Sequence, residues 1–262
     1  MMEIRLERLE GDDAGIVLLG LNRPSAKNAL GRQLLAEFQQ TLADLRFDQA
    51  ARVLVVHSLV PGIFCAGADL KERAAMSPSE AAAFVLSTGA VFSELEDLPM
   101  PTIAAIDGGA FGGGLELALA ADLRVAGSAA KMGLVETALA IIPGAGGTQR
   151  LPRLIGISRA KELIFTARRI GAEEAGRLGL VDRLAAPGEA LPQALMLARE
   201  ILPNGPVALR LAKQAVNRGS DLGLDSGLAF EQDCYAQVLS TQDRLEGLAA
   251  FREKRKPRFR GE

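Results

Sequence analysis

Short apolar runs alternate with stretches of helical period along this chain, and that alternation restricts the folds open to it more than any other feature. Ile16–Leu21 ends in Asn22-Arg23-Pro24, the pattern of a buried strand running into a turn. Leu34, Leu35, Phe38, Leu42 and Leu45 then recur at helical spacing within residues 31–46. Residues 53–56, 101–106 and 123–126 read as three further strands, and residues 79–95 as a helix with Ser77 or Ser79 as its N-cap. A glycine-rich opening, Asp107-Gly108-Gly109-Ala110-Phe111-Gly112-Gly113-Gly114, leads into a helix expected to run through Leu115 to Ala121. Strands alternating with helices predict an α/β architecture, not a β-sandwich. Beyond about Gly156 the pattern turns almost wholly helical, with helices expected at 157–167, 188–202, 206–217, 223–239 and 241–254. The expected organisation is a mixed core over residues 1–195 followed by a helical C-terminal region over 196–262.

Composition narrows the function classes. At 262 residues, 48% hydrophobic and 24% charged, the chain suits one large globular domain, with or without a smaller appendage. Trp is absent and Tyr occurs once, so stacking of nucleic-acid bases on aromatic rings is not expected as a main activity. A net charge of −2 supplies no global attraction for nucleic acid or an anionic membrane. Cys65, Cys234 and the single His57 are too few for a disulfide framework or a Cys/His zinc site, so no metal is expected and a reducing compartment is. No apolar run is long enough to span a bilayer, and residues 1–10 carry charge instead of a signal-peptide core. A bacterial cytoplasmic location is expected, or the mitochondrial matrix if a presequence has been removed.

Three segments can carry chemistry. In Phe64-Cys65-Ala66-Gly67-Ala68-Asp69, a glycine among small residues lets backbone N–H groups approach a ligand oxygen; the plainer reading is a tight turn after a strand. In Gly112-Gly113-Gly114-Leu115-Glu116, free N–H groups and the positive end of a helix suit a developing oxyanion, with Glu116 in the first turn beside them. The plainer reading there is a glutamate favoured by the helix dipole. In Met132-Gly133-Leu134-Val135-Glu136, apolar neighbours would raise the pKa of Glu136 and let it donate a proton near neutral pH. The glycines at 144–147 lack the ending of a P-loop and read as a turn into the next helix. Gly156-Ile157-Ser158-Arg159-Ala160 lacks the final glycine of a nucleophile elbow. His57 closes an apolar strand and reads as structural, which leaves no Ser-His-Asp triad. Cys65 has no histidine base and reads as a small buried residue.

Together these motifs resemble the enoyl-CoA hydratase/isomerase, or crotonase, superfamily over almost the whole chain. The matching segments are Leu21-Asn22-Arg23-Pro24, residues 64–72, Ala105-Ile106-Asp107-Gly108, residues 112–117, Gly133-Leu134-Val135-Glu136, residues 142–152 and Phe251-Arg252-Glu253-Lys254-Arg255. The resemblance implies a crotonase-like ββα spiral core, a helical C-terminal region used for trimerisation, and assembly as a trimer or a hexamer built from two trimers. It implies that the N–H groups of Ala68 and Gly113 form an oxyanion hole for a thioester carbonyl. Lys27, Ala66, Ala68, Asp69, Leu70, Lys71 and Gly113 would line the coenzyme A and substrate channel, and Phe251 and Lys254 would cover the coenzyme A of a neighbouring subunit. No cofactor is implied beyond the coenzyme A that the substrate carries.

The two carboxylates of the family pattern fall on Glu116 and Glu136, and two such groups point to hydration where one is common in isomerases. Glu116 is expected to activate water and Glu136 to deliver the proton to C2, the two titrating as a coupled pair. Within the superfamily, residues 60–73, 131–137 and 243–255 are most similar to the branch that interconverts 3-methylglutaconyl-CoA and 3-hydroxy-3-methylglutaryl-CoA; a generic short-chain enoyl-CoA hydratase is the alternative. Some relatives bind RNA through a lysine-rich helix. The matching residues 32–52 set Arg32, Arg46 and Arg52 against Glu37, Asp44 and Asp48, so no RNA partner is expected. The basic stretch Arg252, Lys254, Arg255, Lys256, Arg258 and Arg260 reads as a solvated tail.

Overall fold

Ile16–Leu21 is buried along its whole length, so both of its faces must be covered. The structure, a computed structural model, describes residues 2–262; Met1, the first residue of the charged opening stretch, lies outside them. The strands in chain order are β1 (Ile4–Arg8), β2 (Ile16–Leu21), β3 (Val53–Ser58), β4 (Ile63–Cys65), β5 (Thr102–Ile106), β6 (Gly109–Phe111), β7 (Leu123–Gly127), β8 (Lys131–Gly133), β9 (Ile170–Gly171) and β10 (Arg183–Ala185). The helices are α1 (Arg32–Arg46), α2 (Leu70–Ala74), α3 (Pro78–Glu96), α4 (Gly113–Leu119), α5 (Gly147–Ile155), α6 (Ile157–Thr166), α7 (Ala172–Leu178), α8 (Ala190–Ile201), α9 (Pro206–Gly219), α10 (Leu224–Leu239) and α11 (Gln242–Glu253).

One sheet runs β1-β2-β3-β5-β7-β10, with β1 antiparallel on its edge and the other pairings parallel. A second sheet runs β4-β6-β8-β9, parallel apart from β9. The chain visits the two sheets in turn, β3 then β4, β5 then β6, β7 then β8, and each pair is followed by helix. This repeated winding is the ββα spiral that the resemblance implies. Because β4, β6 and β8 are parallel neighbours, their C-terminal ends open along one edge, the usual place for a ligand in a parallel sheet.

Side-chain alternation divides the core. Val17, Leu19, Leu54, Val56, Ala104 and Ile106 face the main cluster, which also takes Leu34, Leu35, Phe38, Leu42 and Leu45 from α1. Ile16, Leu18, Val53, Val55, Ile103 and Ala105 face the other way, onto Ala190, Ala194, Leu197 and Ala198 of α8. That helix straddles the 195/196 boundary expected from the sequence and covers the far face of the first sheet. Helix α9 is tied to the β-core by Lys213, whose ammonium reaches Asp122 at 2.8 Å and the Met100 carbonyl at 3.2 Å. Of the two candidate caps, Ser77 is the one used: its hydroxyl accepts the Glu80 N–H, and the Glu80 carboxylate accepts the Ser77 N–H.

The basic side chains of the tail are exposed, as expected of a solvated tail, but its backbone is held. Asp243 accepts the Arg260 and Gly261 N–H groups at 2.7 and 2.8 Å, and Glu246 accepts the Arg258 N–H and pairs with Arg255. Two carboxylates on α11 thus fold the tail back along the helix. Among the described residues, no helix is long and apolar enough to cross a membrane.

Candidate active site

The chain leaving β4, β6 and β8 supplies every central group of the site: Ala68 three residues past Cys65, Gly113 two past Phe111, and Glu136 three past Gly133. The Ala66–Asp69 stretch is braced from one side by Leu30, whose N–H donates to the Gly67 carbonyl and whose own carbonyl accepts the Asp69 N–H. That bridge skips Ala68, whose N–H donates to no acceptor among the described residues; nor does that of Gly113, at the first position of α4. The two loops lie against one another: the position a methyl would take on Gly67 is 3.5 Å from the Gly113 nitrogen, and that on Gly113 is 3.8 Å from the Ala68 nitrogen. Two unengaged donors this close form a ready cradle for one oxyanion.

Glu116 is 3% exposed, and its Oε1 accepts the N–H groups of Ala145 and Gly147, both at 2.8 Å. The helix dipole therefore is not its only support, because the bonds come from a different segment of the chain. Residues 144–147 are the expected turn into α5, and they also clamp this carboxylate. The clamp is itself held: Arg150 donates to the Ala145 carbonyl at 3.1 Å and pairs with Glu96 of α3 at 3.0 Å. Burial raises the Glu116 pKa, and the Gly147 and Ala145 N–H groups, with the charges of Arg150 and Arg73, oppose the rise.

Glu136 has the opposite wiring. It is 9% exposed, and neither carboxylate oxygen has a hydrogen-bond partner among the described residues. Burial, with the nearby Glu116 charge adding to it, pushes its pKa up to about 7. A glycine pair separates the two carboxylates. A methyl on Gly112 would lie 3.1 Å from Glu136 Oε1, and one on Gly113 would lie 3.9 Å from Glu116 Oε2. Gly112 has φ 52° and ψ −126°, a conformation that side chains rarely adopt. Burial pushes both carboxylates upward, but two N–H groups oppose the rise at Glu116 and no neighbouring N–H bonds the carboxylate oxygens of Glu136, a difference that favours Glu136 as the proton-holding member of the pair.

The remaining candidates are placed as follows. Lys27, Ala66, Leu70 and Lys71 are exposed near the Ala68 loop, Lys27 in a left-handed conformation with φ 52°. Asp69 is occupied by local structure: it caps α2 through the Lys71 and Glu72 N–H groups and pairs with Arg23 at 2.8 Å. Burial opposes ionisation of Asp69, but these bonds hold its pKa below the usual carboxylate range. Phe251 and Lys254 lie at the end of α11; Phe251 is 87% exposed and is not brought to the two glutamates. His57 is buried in β3, with burial lowering its pKa, and Cys65 is fully buried, its thiol pushed up to about 12, so neither is poised for chemistry. Among the described residues, no three His, Cys, Asp or Glu side chains group as metal ligands.

Residues 11–262 match the profile of the enoyl-CoA hydratase/isomerase family. The chain is 56% identical over 264 residues to the mitochondrial methylglutaconyl-CoA hydratase of Mus musculus, covering 99% of this chain and 84% of that one. It is 55% identical to the mitochondrial enoyl-CoA hydratase domain-containing protein 2 of the same organism, covering 99% of this chain and 89% of that one. The crystal structure of an enoyl-CoA hydratase from Bacillus anthracis superposes with a TM-score of 0.96 at 46% identity, covering 99% of this chain and 100% of that one. Similar proteins thus come from both mitochondria and bacteria.

Proposed function

The chain belongs to the enoyl-CoA hydratase/isomerase family, and from that membership we infer that it adds water across the 2,3 double bond of an acyl-CoA thioester, or removes it in the reverse direction. The observation that carries this reading is the pair of oppositely supported carboxylates, Glu116 and Glu136, beside the unengaged N–H groups of Ala68 and Gly113. The thioester carbonyl takes the two N–H groups. Glu116, ionised, draws a proton from water as its oxygen bonds to C3, and negative charge moves onto the carbonyl oxygen. Glu136, protonated, then delivers its proton to C2. The pair begins and ends with one proton, moved from one carboxylate to the other, so both directions use the singly protonated pair. A single donor to the oxyanion is worth about 3–4 kcal/mol in such transition states.

No cofactor enters this chemistry, since coenzyme A arrives as part of the substrate. Lys27, Ala66, Leu70 and Lys71 line its channel on this reading, and Phe251 and Lys254 reach the coenzyme A of a neighbouring subunit in a trimer or a dimer of trimers. An RNA partner is not expected. Helix α1 turns its apolar face inward, while Arg32 pairs with Glu80 and Arg52 donates to the Leu202 and Asn204 carbonyls.

For the acyl chain we propose 3-methylglutaconyl-CoA. The name of one relative supports this. Comparing kcat/KM for 3-methylglutaconyl-CoA and crotonyl-CoA is the test. The branched diacid is expected to be favoured by at least about 10-fold, the contribution of one charge-assisted contact. Equal or lower kcat/KM for the diacid would overturn the acyl assignment, whereas turnover of crotonyl-CoA would keep the hydratase reading.

A further inference from the structure

Residues 145–147 hold Glu116 from one side and are themselves held from the other. Ala145 and Gly147 turn their N–H groups onto Glu116 Oε1, and Gly146 between them has φ +112°, so the three residues form a concave anion nest. The Arg150 guanidinium crosses the back of this nest. A methyl on Gly146 would collide with Arg150 Nη1, which donates to the Ala145 carbonyl at 3.1 Å. Helix α3 fixes the guanidinium in turn: Nε reaches Glu96 at 3.0 Å and Nη2 reaches the Ser93 hydroxyl at 3.2 Å. The Arg150 side chain is 14% exposed, so its charge is poorly screened. Among the described residues Glu96 is the one anion paired with it. The other cations around the same cavity are engaged elsewhere, Arg153 with Asp221, Lys213 with Asp122 and Arg124 with Asp182.

We propose that Arg150 is a positioning residue for the reaction: tethered to Glu96 on α3, it braces the Ala145–Gly147 nest and fixes the Glu116 carboxylate where it meets water. The inference rests on the hydratase reading above. The guanidinium lies behind the nest, so it acts through Glu116 and not on the substrate. Three charged groups face Glu116: Arg150 on α5, Arg73 on α2 and Glu136 beyond β8. The two arginines favour the carboxylate form of Glu116, Arg150 more than Arg73, and an ionised Glu136 opposes it. Glu136 owes its own raised pKa to burial and to Glu116, with no part played by Arg150. Loss of the Arg150 charge therefore acts on one member of the pair.

The test follows kcat over about pH 5 to 9 in wild type, Arg150→Met, Arg150→Lys and Glu96→Gln, on crotonyl-CoA or 3-methylglutaconyl-CoA, whichever wild type turns over faster. Arg150→Met is expected to lower kcat about 10- to 100-fold with KM little changed, the effect of a displaced catalytic group. Its acidic limb, where the pair takes up a second proton, should move to higher pH, while the basic limb, set by the last proton on the pair, stays. Arg150→Lys keeps the charge and loses the fork, so it should restore the acidic limb and only part of kcat. Glu96→Gln leaves the Arg150 charge uncompensated and should move the acidic limb the other way, to lower pH. Loosened packing would lower activity in both variants without such opposite shifts. An acidic limb unmoved in Arg150→Met would overturn the inference and leave the hydratase reading standing. Should Arg150→Met not fold, Glu96→Gln decides alone, and a limb at the wild-type pH or above it would overturn the inference. A wild type that hydrates neither substrate would overturn both readings.

Discussion

Glu116→Gln and Glu136→Gln are each expected to lower kcat for hydration by about 10²–10⁴-fold, the span of one general acid or base. The double variant is expected to lose little more than the worse single one, because one water and one shared proton make the pair a unit. Glutamine keeps the shape of each side chain, so a loss of this size reads chemistry and not packing. Stability separates the two variants. The Glu136 pKa is raised from 4.5 to about 7, so its contribution to folding is full below pH 4.5 and is lost as pH rises through 7. Above that pH the buried charge costs roughly 3 kcal/mol. Denaturant titrations should therefore find Glu136→Gln more stable than wild type at pH 8, with the two converging near pH 4.5. Glu116→Gln should gain less, since two N–H groups that favoured the carboxylate then meet an amide. Retention of most activity by either variant would refute the assigned roles.

Gly108→Ala is expected to destabilise the fold by about 2–5 kcal/mol, although it adds one methyl and touches no site residue. Gly108 has φ +95°, and a Cβ there would fall 2.1 Å from both the carbonyl carbon and oxygen of Gly62 and 2.6 Å from the Ile63 nitrogen. All three contacts are backbone, so no side chain can swing away. The left-handed conformation adds about 1–2 kcal/mol and the overpacking about 1–3 kcal/mol. The turn carries the chain from the first sheet into the second, where Gly62 leads into β4 and Gly108 into β6. Relieving the clash pushes apart β4 and β6, the strands that lead to Ala68 and Gly113, so the protein that still folds should also lose kcat. Gly62→Ala is the matched control: its φ is +74° and nothing lies within 4 Å of the added carbon. Its cost should be about 1–2 kcal/mol. Similar midpoints for the two variants in urea would contradict the account.

The first sheet was readable because β2, β3 and β5 each carry at least four consecutive apolar residues, and α1 because five leucine and phenylalanine side chains keep helical period. The second sheet was not. β4, β6, β8 and β9 span only two or three residues each, too short for any period, and β6 is hidden in a glycine run that reads as a helix opening. The glycine motifs were visible, yet it is this unreadable sheet that brings them together. For the same reason Glu116 was open to a plainer reading from its own surroundings: the donors that hold it come from Ala145 and Gly147, about thirty positions downstream, and no local pattern announces them. Asp69 shows the reverse case. Its place in the motif suggested a ligand contact, but its side chain is spent on capping α2 and pairing with Arg23.

The family includes both hydratases and isomerases, so the most direct test of the central claim follows the atoms of water. Purified protein is incubated with a 2-enoyl-CoA in water enriched in oxygen-18, and the acyl product is weighed by mass spectrometry. The two-carboxylate site predicts a product heavier by one labelled water, with the label in a hydroxyl at C3, and its loss in Glu116→Gln and Glu136→Gln. A product of unchanged mass with its double bond displaced would contradict it, because the carboxylates would then be moving a substrate proton and not adding water.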